Sequence, residues 1–126
     1  LIVLDTSALM AILKGESEAA RMRTRIGTAG GLIMSAGTAS EAMIVAGQKG
    51  VRDALEAMLV DFGVDIVPLT AGDVGRVADA YLRWGKGNHP AGLNLGDCFA
   101  YALARERNCP LLFVGNDFSR TDIEAA

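Results

Sequence analysis

The sequence predicts an α/β protein in which strands and helices alternate, so that the sheet between them is parallel. Three observations carry that prediction. Four short apolar runs, at 1–4, 32–34, 64–69 and 111–114, are bounded by Gly, Ser, Asp or Asn and read as buried strands. The stretches between them carry apolar residues at helical spacing. With 126 residues, 51% hydrophobic and 21% charged, the chain has the size and composition of one globular domain with a real core.

Each element follows from local chemistry. The first strand closes abruptly at Asp5, and residues 6–14 form a short helix ended by Gly15. Asp5, Thr6 or Ser7 suits its N-cap. Ser17 offers a cap for a second helix through Arg25, with Ala19, Met22 and Ile26 on one face and Gly27 ending it. After a turn at 28–31, the second strand ends at Ser35. A helix is expected from Thr38, carrying Glu41, Met43, Ile44 and Val45, and Gly47-Gln48-Lys49-Gly50 interrupts it. Val51, Leu55, Met58, Leu59 and Phe62 make one face of the next helix, which Gly63 stops. Pro68 places the tail of the third strand at the sheet edge or outside it. Thr70 is expected to cap a helix whose inner face is Val74, Val77, Ala78 and Tyr81, with Gly85 as its end. Residues 86–92 form a Gly-rich loop. Asn94 caps a helix through Arg107 that is apolar almost all round and so central. After the last strand, Gly115-Asn116-Asp117-Phe118 turns into a short polar helix.

Composition excludes several classes. No run is long enough to span a membrane, and no signal-peptide pattern opens the chain. Without an initiating Met, the first residue or two are expected to be processed, disordered or omitted. Two cysteines, Cys98 and Cys109, make neither a disulfide framework nor a zinc knuckle and are expected to be reduced, in a cytoplasmic setting. A formal charge of −3 argues against binding nucleic acid by bulk basicity, though a local basic rim is compatible with it. One His excludes chemistry that needs several imidazoles.

Four acids fall at element ends. Asp5 and Asp117 follow buried strands, and Glu41 and Asp97 stand three residues after Thr38 and Asn94, in the expected first turns of their helices. In an open parallel sheet the ligand site lies past the carboxyl ends of the strands, at a switch in strand order. The plain alternative is capping, since Thr38-x-x-Glu41 and Thr70-x-x-Asp73 both have the capping-box pattern. The surroundings separate the two. Glu41 is the only ionisable residue between Arg25 and Lys49, and Asp97 opens a nearly apolar helix. Such acids need a partner that the local sequence does not supply. Carboxylates that converge repel one another unless a cation neutralises them, and an all-oxygen set suits Mg2+ or Mn2+. Such ions assist in-line attack on a phosphodiester. Thr6, Ser7 and Asn116 are candidates to orient the waters around the ion.

These motifs resemble those of the PIN-domain nucleases, and among them the VapC-type toxins of bacterial toxin–antitoxin pairs. Leu4-Asp5-Thr6-Ser7-Ala8-Leu9 is similar to the opening motif and Ser40-Glu41 to the helix-borne Glu. Leu93-Asn94-Leu95-Gly96-Asp97-Cys98 and Leu112-Phe113-Val114-Gly115-Asn116-Asp117-Phe118 are similar to the third and fourth motifs, with the 86–92 loop leading into the third. The resemblance implies a three-layer α/β/α sandwich on a mainly parallel sheet of four to five strands. It also implies an endoribonuclease with Asp5, Glu41, Asp97 and Asp117 around Mg2+ or Mn2+, acting on an RNA of translation such as tRNA. A homodimer and an antitoxin whose tail blocks the site, commonly with a basic side chain, belong to the same expectation. The fourth acid varies in the family, and a cap on the last turn is the alternative role of Asp117.

Two rival readings remain open in the sequence. Cys98 with Asp5 and Lys86 or His89 would make a cysteine hydrolase, although a Cys inside an apolar helix usually behaves as a small hydrophobe. An acidic pocket that binds metal or a phosphorylated partner without turnover is the other. Candidates for a basic rim that draws RNA to the acids are Lys14, Arg21, Arg83 and Lys86, with His89 as a minority candidate.

Overall fold

The computed structural model describes residues 1–126. Strands β1 (Ile2–Leu4), β2 (Leu32–Ser35), β3 (Asp65–Val67) and β4 (Leu111–Leu112) alternate with helices α1 (Thr6–Leu13), α2 (Ala19–Thr28), α3 (Ala36–Gln48), α4 (Arg52–Asp61), α5 (Asp73–Trp84) and α6 (Leu95–Arg107). The sheet order is β3-β2-β1-β4, every pairing is parallel, and Val3 lies opposite both Ile33 and Leu111. The tail folds back beside β4 through a parallel bridge between Leu111 and Ala125.

The pleat explains the layers. Ile2, Leu4, Leu32 and Met34 point into a core shared with α1, α2, α3 and α4. Val3, Ile33 and Leu111 point the other way, into a core with α5 and α6. Successive strand residues therefore serve opposite layers, as a strand buried on both faces must. The α/β/α sandwich and parallel sheet are as expected. β1 sits at the switch in strand order, with β2 on one side and β4 on the other.

Several local expectations are corrected. α3 begins at Ala36, not Thr38, because Ser35 takes the cap and its side chain accepts from the Gly37 N–H at 3.2 Å. Thr38 is instead fully buried, and Glu41 stands in the second turn, outside any capping box. α2 runs through Gly27 to Thr28 and has no side-chain cap from Ser17. α5 starts at Asp73, whose carboxylate accepts from the Thr70 N–H, while Thr70 itself caps nothing. Its inner face is Val77, Ala80, Tyr81 and Trp84, and Val74 and Ala78 are exposed. Both sets have helical spacing; burial of the large Trp84 ring decides between them. β3 is shorter than expected and exposed at the edge, and the last helix is a single 3-10 turn, Phe118–Arg120, anchored by buried Phe118. No helix is long and apolar enough to cross a membrane.

Candidate active site

The site forms where β1 and β4 end. Asp5 leaves β1 in extended backbone and becomes the N-cap of α1. Its Oδ2 accepts the Ser7 N–H at 3.1 Å and the Ser7 hydroxyl at 2.6 Å, while Oδ1 is buried with no hydrogen-bond partner. The sequence-level cap and the functional candidate are thus one residue, using one oxygen for the cap and leaving the other free. Ser7 Oγ also accepts the Val114 N–H at 3.0 Å, tying the end of β1 to the segment after β4.

Glu41 reaches the same place from α3. Its Oε1 accepts the Thr6 hydroxyl at 2.8 Å. Gly96, in the first turn of α6, lies so close that a Cβ there would fall on the Glu41 carboxylate. Asp97 follows it in a full capping box: its Oδ2 accepts the Asn94 N–H at 3.0 Å, and Asn94 Oδ1 accepts the Asp97 N–H at 2.8 Å. Asp117 lies past the Gly115 turn, not directly at the strand end, because β4 stops at Leu112. It is exposed and makes no side-chain cap to the last turn. Asn116 is exposed beside it, and its carbonyl accepts the Ser119 hydroxyl.

Electrostatics link the four acids. Burial pushes the Asp97 carboxyl up to about 7, and repulsion from Asp5, Asp117 and Glu41 adds to the rise against the Asn94 hydrogen bond. Burial also raises Asp5, Glu41 adds to the effect, and the bonds from Ser7 oppose it. As the side chains stand, no three acidic, His or Cys groups are arranged to hold one ion between them. Each carboxylate is turned to its own donor: Ser7 for Asp5, Thr6 for Glu41, Asn94 for Asp97. The orphaned buried oxygen of Asp5 and the mutual repulsion at Asp97 nonetheless fit a hard divalent cation, whose charge would relieve both.

The basic candidates fall into two groups rather than one rim. Lys14 caps the far end of α1 from Asp5 and pairs with Glu16 at 3.4 Å, and Arg21 on α2 is held by Glu18 at 2.6 Å. Arg83, Lys86 and His89 belong to the end of α5 and the loop after it. Arg83 approaches Asp122, and Lys86 is exposed without an ion pair. His89 Nδ1 accepts the Ala91 N–H at 2.9 Å, and its ring stands edge-on to Trp84. Cys98 is buried, and its thiol is pushed up to about 11, first by burial and then by Asp97, so it carries no thiolate for nucleophilic attack near neutrality.

Sequence reasoning missed two features. One is the approach of Gly96 to Glu41, whose only signal is a Gly between a helix cap and an acid. The other is the chain from Trp84 Nε1–H to Tyr101 Oη to Asp122 Oδ1, at 2.9 and 2.6 Å, which no local spacing announces.

The PIN-domain family model matches residues 2–124. Ribonuclease VapC36 of Mycobacterium tuberculosis is 38% identical over 127 residues, covering 98% of this chain and 91% of that protein. Among solved structures, VapC20 of Mycobacterium tuberculosis, a sarcin–ricin loop cleaving toxin, superposes with a TM-score of 0.82 at 15% identity, covering 100% of this chain and 98% of that one. A toxin–antitoxin complex from Klebsiella pneumoniae gives 0.72 at 18% identity, covering 97% and 93%.

Proposed function

Since the chain belongs to the PIN-domain family, among its VapC ribonucleases, we propose that it is a divalent-metal-dependent endoribonuclease that cuts RNA at the acidic centre of Asp5, Glu41, Asp97 and Asp117. The observation that carries this reading is the buried Asp5 oxygen without a partner, set among acids whose charge adds to the raised proton affinity of Asp5 and Asp97. Mg2+ or Mn2+ held by Asp5, Glu41 and Asp97, with Asp117 at the open side, would supply water activation and neutralise charge developing on the phosphodiester.

The chain's own residues supply the order around that centre. Ser7 fixes the Asp5 carboxylate by two bonds to Oδ2 and leaves Oδ1 without a partner in the protein. Thr6 fixes Glu41, and Asn94 fixes Asp97. Asn116, exposed beside Asp117, is available to a substrate oxygen or a water. Asp5 is buried, which strengthens charge interactions there.

We assign the target to a structured RNA of translation, tRNA being the first candidate. The partner that silences the enzyme is a cognate antitoxin presenting a basic side chain to the acids. We also propose a homodimer and a cytoplasmic location. Exposed apolar Leu69, Val74, Leu82 and Leu95, on and beside α5 and at the start of α6, support the dimer. Incubation of purified wild type with labelled tRNA and ribosomal RNA, with Mg2+ or Mn2+ and again with EDTA, tests the reading. Cleavage by the wild type with metal, lost with EDTA and lost in Asp5→Asn, is expected. Cutting that survives EDTA but fails on thiol alkylation would replace it with the Cys98 chemistry.

A further inference from the structure

The tail that carries Asp117 is fastened at three places beyond the acid. Before it, Gly115 has φ +110°, a left-handed backbone that suits glycine, with no atom within 4 Å of where a Cβ would stand. That position gives the tail a pivot. Phe118, directly after the acid, is buried, with its ring 5.2 Å from that of Phe113. Apolar burial fixes how deep the turn sits but not how it is rotated, because it has no direction. Two polar contacts supply the direction. A guanidinium nitrogen of Arg120 donates to the Pro90 carbonyl at 3.1 Å. Asp122 Oδ1 accepts the Tyr101 hydroxyl at 2.6 Å, and Tyr101 Oη accepts the Trp84 Nε1–H at 2.9 Å. Arg83 and Arg105 pair with the other oxygen of Asp122 at 3.7 and 3.8 Å.

Both polar contacts end on the elements that hold Asp97. Tyr101 follows Asp97 on α6 at i+4, on the same face of the helix. Pro90 lies in the loop that runs into the α6 cap. That loop is closed by the Lys86 N–H to the Leu93 carbonyl at 2.9 Å and the Leu93 N–H to the Trp84 carbonyl at 3.1 Å. Asn94 then caps α6 and holds the Asp97 carboxylate. The Arg120 guanidinium is engaged by a neutral carbonyl, so Asp117, three residues earlier, keeps its charge for a cation. We propose that Arg120, through Pro90, and Tyr101, through Asp122, are positioning residues of the ribonuclease. They set where Asp117 stands relative to Asp97, and through that the affinity of the acidic centre for its divalent cation. The inference rests on the ribonuclease reading above and on the place of Asp117 in it.

The test titrates Mn2+ into the purified protein without RNA and follows the free ion by electron paramagnetic resonance. Arg120→Ala and Tyr101→Phe are each expected to weaken Mn2+ binding about fivefold, within the range of couplings inside one contact network. Both should also speed amide hydrogen exchange over residues 116–122. Loss of a nearby cation by itself would tighten Mn2+ binding, so the sign of the Arg120→Ala effect separates placement from plain electrostatics. In an Asp117→Asn background the same substitutions are expected to add nothing further, because the group they place is gone. In the cleavage assay at fixed Mn2+, kcat falls while KM for the RNA holds. Arg120 is exposed, so its variant keeps the fold even if the Trp84 N–H left unpaired in Tyr101→Phe destabilises that protein. Unchanged or tighter Mn2+ binding in Arg120→Ala overturns the proposal. So does equal weakening in the Asp117→Asn background, which would make the two contacts general supports of the fold. If Asp117→Asn itself binds Mn2+ like the wild type, the proposal falls, while RNA cleavage by the wild type keeps the ribonuclease reading on the other three acids. If the wild type neither binds Mn2+ nor cuts RNA, both readings fall.

Discussion

At the scale of single residues, the site depends on atoms kept free rather than on atoms bonded. Gly96 shows this most sharply. Ala is favoured over Gly in a helix by ~0.5–1 kcal/mol, and the group its Cβ would meet is the mobile end of Glu41. Gly96→Ala is therefore expected to melt no lower than the wild type while losing at least roughly tenfold in RNA cleavage, one pKa-sized step of positioning energy. Normal activity in a folded Gly96→Ala protein would remove Glu41 from the proposed set. Asp97→Asn makes the complementary case. Asn still accepts from the Asn94 N–H but no longer repels Asp5, Glu41 and Asp117. Thermal melting above pH 7 should show a more stable protein, and the cleavage assay a dead one.

At the scale of elements, the decisive contact is the Ser7 hydroxyl, which donates to Asp5 and accepts from the Val114 N–H. It joins the start of α1 to the segment after β4, so the acids on either side are held in one frame. Ser7→Ala leaves the Val114 N–H and one Asp5 oxygen without that partner, a loss of about 1–3 kcal/mol in stability, read by urea denaturation. α6 behaves as its sequence suggests, with Asn94 and Asp97 closing a capping box and Cys98 lost in the core. Cys98→Ala should retain cleavage; its loss without a fall in melting temperature would revive the thiol. Elsewhere the spacing misleads. In α5 two apolar faces fit the same period, and only the docking of Trp84 against Tyr101 selects one. In α3 a Thr-x-x-Glu pattern mimics a capping box, while Ser35, the last residue of β2, takes the cap.

At the scale of the whole molecule, the folded chain gathers like charges, and its stability must respond to pH. The folded Asp97 carboxyl titrates at about 7, above its ordinary value of 3.8. The native state thus binds more protons than the unfolded one between those values, and stability falls as pH rises through that window, levelling off above it. Mn2+ added above pH 7 should restore the melting temperature and flatten the profile. A metal-free protein whose stability rises over the same range would contradict the clustering of acids. The order β3-β2-β1-β4 is what brings the ends of β1 and β4 together. The sequence by itself determined where the four strands lie, the cap at Asn94 and the places of Asp5 and Asp97 at element ends, because buried runs and caps are written in neighbouring residues. Tertiary structure alone decided which oxygen of Asp5 stays free, how closely Gly96 approaches Glu41, and that Asp122 from the tail meets Arg83 and Arg105. Those are contacts between distant segments, fixed by how layers pack and not by any local period.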